Sequence, residues 1–337
     1  PGAAWPFGCS TGREGVRGPR HRRMRILFWG TPEFAIPSLR ALLGEGHEVV
    51  GVVTQPDRPA GRGRTLHAPP VKTVAQAEGL LVLQPEKARG EEFRRQIAAL
   101  RPEISVVVAY GQILKRDILD VPARGSINVH ASLLPELRGA APINWAIIRG
   151  HERTGVTVMR MVEEMDAGPI LLQVEEPIGP DETASDLAAR LSEVGAAALI
   201  EALVLLEAGE LEEVEQDHGA ATYAPRITRA DARIDWSLDA VSVARWMRGL
   251  DEQPGAWTML RGQEIKVYRP LPVPDHVHDA APGTVLEARA YDPAQSLLVA
   301  CGRGAVWVRE VKPAGRRRMT SAEWLRGRAV APGDRFD

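Results

Sequence analysis

From Arg25 onward, short apolar runs alternate with stretches whose apolar residues recur at helical spacing. "RILFWG", "EVVGVVTQ", "LLVLQ" and "ISVVVAYG" read as buried strands, with helical stretches separating the last three. After the first strand, Thr31 and Pro32 predict an N-cap and a first-turn proline for a helix over "EFAIPSLRALL", which Pro37 is expected to kink or shorten. Such alternation implies an α/β fold with a mostly parallel sheet covered on both faces. "TGVTVMRMVEEMDAGPILLQVEEPI" adds two strands around a polar turn, and a long Ala/Leu-rich helix follows from about Thr183 to Glu207. The pattern then changes. One helix, "SLDAVSVARWMRGL", precedes five short strands punctuated by Gly and Pro: "AWTML", "EIKVYRP", "GTVLEA", "SLLVACG" and "AVWVREV". That spacing suggests a small β-barrel, with the oligonucleotide-binding (OB) kind as one option.

The 337 residues suffice for two domains, and the change of pattern locates the break. Residues 24–207 are expected to form the first domain, 208–225 a linker and 226–337 the second domain. Residues 1–23 are rich in Gly, Pro and Arg and have no apolar run for secretion, so a disordered extension is expected. A mitochondrial presequence is the alternative, although an amphipathic helical pattern is missing. No apolar run is long enough to span a membrane. Cys9 and Cys301 are too few and too far apart for a zinc site or a disulfide framework, which points to a reducing, cytoplasmic setting and to no metal. The net charge of −2 hides an uneven distribution. Residues 201–217 carry seven acids and no base, whereas 301–328 carry eight Lys/Arg against Glu310 and Glu323. A basic patch of that kind serves either as a solvated face or as a phosphate-binding surface.

The turn after the first strand is "GTPEF" rather than GxGxxG, and no GxxxxGK[ST] is present, so phosphate-cradling loops are excluded. Ligands of open parallel sheets still bind outside the carboxyl ends of strands, which directs attention to "VVVAYGQIL" and "INVHASLLP". Asn128 and His130 are two apart on a strand and leave the same face. Asp166 sits in "EEMDAGPI", where Gly168 and Pro169 predict a tight turn. Together the three make a set for acyl transfer without a nucleophilic side chain. An amide polarises a carbonyl oxygen, an imidazole with a reference pKa near ~6.5 exchanges protons at neutral pH, and a carboxylate orients the imidazole. Each also has a structural explanation, since strand-end Asn, lone His and turn Asp commonly satisfy backbone groups. No GxSxG motif competes with this set.

"NVHASLLPELRGAAPINWAI" together with "EEMDAGPIL" resembles the formyltransferases that use 10-formyltetrahydrofolate. "RILFWGTPEFA", "GVVTQPDRPAGRGR", "VVAYGQIL", "ARIDWS" and "PAGRRRM" extend the resemblance from Met24 to the end, toward the branch that formylates initiator methionyl-tRNA. The resemblance implies a Rossmann-like formyltransferase domain followed by an OB-like barrel. It implies a catalytic trio of Asn128, His130 and Asp166, and a folate co-substrate bordered by Ser132, Leu133, Leu134 and Pro135 and by Tyr110 and Gly111. It also implies tRNA contacts by Arg62 and Arg64 in a mobile basic loop and by Arg316, Arg317 and Arg318, in a monomer without a membrane or a metal. Residues 1–23 have no counterpart in the family pattern, and Arg64-Thr65 stand where lysines are common. The alternatives are a relative acting on a small amine and an inactive RNA-binding homologue. Arg138, an isolated charge in the "LPELRGAAP" loop, is left with three roles open: holding the loop, touching a phosphate, or pairing with Glu136.

Overall fold

The computed structural model describes residues 23–60, 65–327 and 330–337. The expectation for the leading segment lies outside the described residues, save Arg23. Elements follow in the order β1 (Arg25–Gly30), α1 (Ile36–Gly44), β2 (Glu48–Val53), β3 (Arg58–Ala60), β4 (Thr65–His67), α2 (Pro70–Ala77), β5 (Val82–Leu83), α3 (Glu91–Ala99) and β6 (Ile104–Val108). Then come α4 (Arg116–Leu119), β7 (Ser126–His130), α5 (Pro142–Ile148), β8 (Arg153–Arg160), β9 (Ile170–Pro177) and α6 (Ala184–Ala208). The C-terminal part holds α7 (Ala240–Gly249), β10 (Trp257–Leu260), β11 (Gln263–Val273), β12 (Val285–Ala288), β13 (Leu297–Ala300), β14 (Ala305–Pro313), β15 (Met319–Thr320) and α8 (Ser321–Arg326).

The N-terminal sheet has the order β5-β2-β1-β6-β7-β8-β9, parallel through β7 and antiparallel at β7-β8 and β8-β9. Strand pleating sorts its side chains into two layers. On β1, Ile26 and Phe28 join the core beneath α1 and α6, whereas Leu27 and Trp29 face a second core around Phe93, Ile97 and Tyr110. The same alternation on β7 buries Ile127 and Val129 with the first core and leaves Asn128 and His130 on the other face. The strand order switches sides at β1 and β6, with β2 and β5 added on one side and β6 and β7 on the other, which places a crevice at the carboxyl ends of these parallel strands.

Several local expectations change. Pro37 begins α1 rather than kinking it, because a short 3-10 turn over Glu33–Ala35 precedes the helix and a first-turn proline forfeits no helical hydrogen bond. Thr31 does not cap that turn; its hydroxyl donates to the Tyr110 carbonyl at 2.8 Å. The "LLVLQ" strand shrinks to Val82–Leu83. The "ISVVVAYG" strand stops at Val108, because Ala109 takes φ +48° and breaks the extended run. The flanks of the basic loop pair as an antiparallel hairpin, Arg58 against His67 and Ala60 against Thr65. Its base is fixed by Asp57, which accepts from Gln84 Nε2 at 2.7 Å and from Lys72 Nζ at 2.8 Å, and these hydrogen bonds hold the carboxyl below its ordinary range. α6 begins as expected: Thr183 and Asp186 form a reciprocal capping box.

The C-terminal strands form an antiparallel sheet of order β10-β11-β14-β13-β12, with β15 on β14. Its edges are drawn together by the last residues. Phe336 N–H donates to the Gly283 carbonyl beside β12, and Asp337 N–H donates to the Met259 carbonyl of β10. Phe336 is 1% exposed and stacks on Trp236 at 5.9 Å, so the closing segment also plugs the barrel interior. The two sheets meet through α5 and α7. Trp145 packs edge-on against Trp246 at 6.2 Å, Asn144 Nδ2 donates to the Gly249 carbonyl at 2.7 Å, and Ser185 Oγ donates to the Asp251 carbonyl at 3.0 Å. Among the described residues no helix is long and apolar enough to cross a membrane.

Cys301 follows β13 inside the barrel core, fully buried, and burial pushes its thiol up to about 12. Because only the thiolate alkylates, the folded chain is expected to keep Cys301 unlabelled by iodoacetamide at about pH 8, with labelling appearing only on unfolding. Rapid labelling of Cys301 in the native chain, read by peptide mass spectrometry, would refute the buried-barrel placement.

Candidate active site

A cavity of about 580 Å³ opens at the carboxyl ends of β6 and β7, within the size range of small-molecule sites. Its walls come from the segment Ala109–Leu114 after β6, from Asn128 to Ala131, from Gly139 to Asn144, and from Met161 to Asp166 after β8. Apolar side chains dominate, and the polar groups are few and convergent.

Asn128 and His130 reach the cavity from adjacent same-face positions of β7, 9% and 6% exposed. Asn128 is fixed by pairing on both sides, opposite Val107 and Met159, and His130 by pairing with Thr157 on one. Among the described residues the Asn128 carboxamide takes no side-chain hydrogen bond, which leaves its donors and acceptor for a ligand. His130 Nε2 lies 3.0 Å from the Leu137 carbonyl. A carbonyl only accepts, so the ring proton is assigned to Nε2 and the lone pair to Nδ1. Nδ1 stands 3.7 Å from Asp166 Oδ2, too far for a direct hydrogen bond and close enough for both atoms to act on one proton.

Asp166 sits in the turn between β8 and β9 at φ +53°, a conformation that only a minority of residues with a side chain adopt. Its carboxylate accepts from the Gly139 N–H at 2.8 Å. The turn is crowded: a Cβ on Gly168 would stand 2.1 Å from the Arg160 carbonyl oxygen, so only glycine fits there. The three groups singled out by residue type and spacing therefore line one cavity, although Asp166 is separated from His130 by the whole of β8.

The other expected site residues divide. Tyr110 and Gly111 belong to the lining. The Tyr110 ring packs into the second core against Trp29 at 5.2 Å, and burial raises its phenol above the ordinary range. Ser132, Leu133, Leu134 and Pro135 are not part of the lining. Their polar groups are used within the fold: Ser132 Oγ donates to the Glu136 carbonyl at 2.6 Å, and Thr157 Oγ1 both accepts from Leu134 N–H and donates to the Ser132 carbonyl. Arg62 and Arg64 lie outside the described residues. Arg316 and Arg317 are exposed after β14, with Glu323 3.8 Å from Arg317. Arg318 is committed within the barrel domain, bonded to Glu310 at 2.5 Å, near Asp251 at 3.5 Å, and stacked over Tyr268 at 4.0 Å. It has little capacity left for a phosphate.

Arg138 resolves to loop holding. It is 1% exposed, its Nε and Nη2 donate to Gln216 Oε1, and Nη2 also donates to His218 Nδ1 at 3.1 Å. Glu136 instead faces His151 at 3.6 Å. Gln216 and Thr222 were not legible as site-associated from sequence, because an acidic linker gives no sign of which of its residues folds back. The isolated Arg138 was the one available signal.

The family model described as formyl transferase matches residues 23–203, and its C-terminal-domain counterpart matches residues 226–329. The methionyl-tRNA formyltransferase of Geobacter sulfurreducens is 45% identical over 93% of this chain and 96% of its own. That of Aromatoleum aromaticum is 47% identical over 93% and 97%. Among solved structures, HypX from Aquifex aeolicus in complex with tetrahydrofolic acid superposes with a TM-score of 0.61 at 22% identity, covering 90% of this chain. This chain spans about half of that longer one, 47%. The sugar 3N-formyl transferase WlaRD superposes with a TM-score of 0.61 at 15% identity, over 88% of this chain and all of its own. Both share the fold.

Gly168→Ala is expected to destabilise the chain by about 1–3 kcal/mol through overpacking, read as a lower urea midpoint at unchanged m. An unaltered midpoint would mean that the turn carrying Asp166 is not held as tightly as the contact with Arg160 implies.

Proposed function

Because the chain belongs to the formyl transferase family, we infer that it transfers a formyl group from a folate to the α-amine of methionyl-tRNA, giving N-formylmethionyl-tRNA for translation initiation. The observation that carries the reading is the convergence of Asn128, His130 and Asp166 on one cavity, in a chain 45% identical over nearly its whole length to a methionyl-tRNA formyltransferase. The finer assignment of the donor to 10-formyltetrahydrofolate, and of the acceptor to the initiator species, is part of this proposal.

The cavity suits a folate. Its size fits a ring system, the Ala109–Leu114 wall offers backbone groups beside apolar side chains, and the Asn128 carboxamide is unpartnered at its floor. When bound, the folate supplies a formyl carbonyl whose oxygen gains negative charge as the methionyl amine adds to its carbon. The Asn128 N–H groups donate to that oxygen, a contribution of roughly 3 kcal/mol per fixed donor in comparable sites. His130, with its proton held on Nε2 by the Leu137 carbonyl, offers Nδ1 to take a proton from the attacking amine. Asp166 stabilises the imidazolium so formed, and the ring returns the proton toward the leaving nitrogen. The chain's part is donation, orientation and proton exchange, and no covalent enzyme intermediate is required. Burial of Asn128 and His130 beside Val107 and Met159 lowers the local dielectric and strengthens their interactions.

The tRNA needs phosphate contacts away from the cavity, and Lys/Arg provide them. Arg62 and Arg64, which lie between β3 and β4 in the sequence, are proposed for this role, with the exposed Arg316 and Arg317 that follow β14. The internal engagement of Arg318 makes it the weakest of the five. A monomer and a cytoplasmic location are proposed.

With a formyl-folate donor and methionyl-tRNA, the chain is expected to form N-formylmethionyl-tRNA; activity confined to a small amine acceptor would overturn the reading. His130→Ala should lower kcat by about 10²- to 10⁴-fold, and Asn128→Ala by about 10²- to 10³-fold, with tRNA binding retained. A parallel loss of binding would assign them to structure instead.

The double change Arg316→Ala with Arg317→Ala should weaken tRNA binding and flatten the log K against log[salt] slope by about one to two. Retention of the full slope would leave these two arginines to solvent.

A further inference from the structure

Gln216 lies in the connection between α6 and the barrel, 5% exposed and outside the cavity lining. A carboxamide has two N–H donors and an oxygen with two lone pairs, and here every one is used. Nε2 donates to the carbonyls of Asp166 at 3.0 Å and Gly168 at 2.7 Å. Oε1 accepts from Arg138 Nε at 3.1 Å and Nη2 at 2.6 Å. One end of the amide thus grips the turn that carries the carboxylate, and the other grips the segment that follows His130. We propose that Gln216 is a positioning residue for formyl transfer, clamping the Asp166 turn onto the Leu137–Gly139 segment so that carboxylate and imidazole stay in register. The proposal rests on the assignment of the trio given above.

The clamp has a physical need. Leu137, Gly139 and Asp166 all take positive φ, at +59°, +118° and +53°. Conformations of this kind persist only where the surroundings over-determine them. Both catalytic contacts run through this strained pair of turns: His130 Nε2 donates to the Leu137 carbonyl, and Asp166 accepts from the Gly139 N–H. Rotation of the peptide after Asp166 would swing its carboxylate away from Nδ1. Both carbonyls flanking that region point at Gln216, which resists the rotation.

Arg138 completes the device. It is almost fully buried, and among the described residues it has no carboxylate partner; its hydrogen bonds go to the Gln216 oxygen and to His218 Nδ1. A cation on the oxygen side of an amide polarises it and strengthens its N–H donors on the far side. The linker is seated independently by other bonds. Val214 and Ile170 exchange both N–H···O bonds, the Leu137 N–H donates to Thr222 Oγ1 at 2.9 Å, and the Arg138 N–H donates to the Thr222 carbonyl at 2.9 Å. Gln216 can therefore be altered without releasing the strap on either side of it.

Gln216→Glu separates positioning from simple packing. A carboxylate keeps and strengthens the contact with Arg138, but loses both donors and faces two carbonyl oxygens. In the full-length chain, with a formyl-folate donor and methionyl-tRNA, kcat is expected to fall about 10²-fold, the cost of misplacing a reacting group by about 1 Å. The KM for each substrate should stay within about threefold, and the thermal midpoint near that of the parent chain. Gln216→Leu should show the same split, and if it does not fold, the Glu variant decides alone. Unchanged kcat in Gln216→Glu, or a rise in the methionyl-tRNA KM at constant kcat, overturns the positioning role. If the parent chain itself transfers no formyl group, the functional reading falls and the clamp with it; an active parent with an active Gln216→Glu removes the clamp alone.

Discussion

A chain that leaves a sheet must find partners for its backbone and side-chain polar groups, and at the end of β7 that requirement is met from far along the sequence. Residues 137 to 141 belong to neither strand nor helix, and the N–H groups of Leu137, Arg138 and Ala141 and the carbonyl of Arg138 pair with Thr222 and Ala224, far along the chain, rather than with their neighbours. The Leu137 N–H reaches Thr222 Oγ1 across 85 residues of sequence. With that segment pinned, His130 has a fixed carbonyl for Nε2 and Asp166 a fixed N–H for its carboxylate. The acidic connection between the domains therefore braces the segment that borders the site.

The barrel domain is held to the same framework. α5, which begins beside the cavity at Pro142, also carries Asn144 and Trp145 to α7. A shift of the barrel would press on α5 and on the wall it contributes. The Arg318 cluster, with Glu310, Asp251 and Tyr268, ties the C-terminal sheet to the end of α7. This engagement sets the three adjacent arginines apart: two face solvent, and the third satisfies Glu310 and the buried Asp251.

Much of the site was legible from sequence because it depends on short-range rules. Period-two alternation on "SINVH" required Asn128 and His130 to share a face, and Gly168 with Pro169 required a turn at Asp166. The alternation of apolar runs with helical spacing gave the parallel sheet, and the Gly- and Pro-punctuated strands gave the barrel. Failures had equally local causes. Pro37 reads as a kink unless the preceding 3-10 turn is known, and the short strands β3 and β4 carry no alternation that would announce them. Gln216 and Thr222 offered nothing, since a polar residue in a polar segment has no pattern to break.

By itself the sequence determined which groups were available and which strand face each would leave, because pleat and helical period follow from covalent geometry within a few residues. It also determined the family, through motifs spread over both domains. Only the tertiary structure decided the 3.7 Å approach of Asp166 to His130, the burial of Arg138 against Gln216, and the withdrawal of Ser132 to Pro135 from the cavity wall. Those outcomes depend on hydrogen bonds between segments that are distant in sequence. A buried polar group takes whichever partner the packed chain brings within reach, and that partner is not encoded near it.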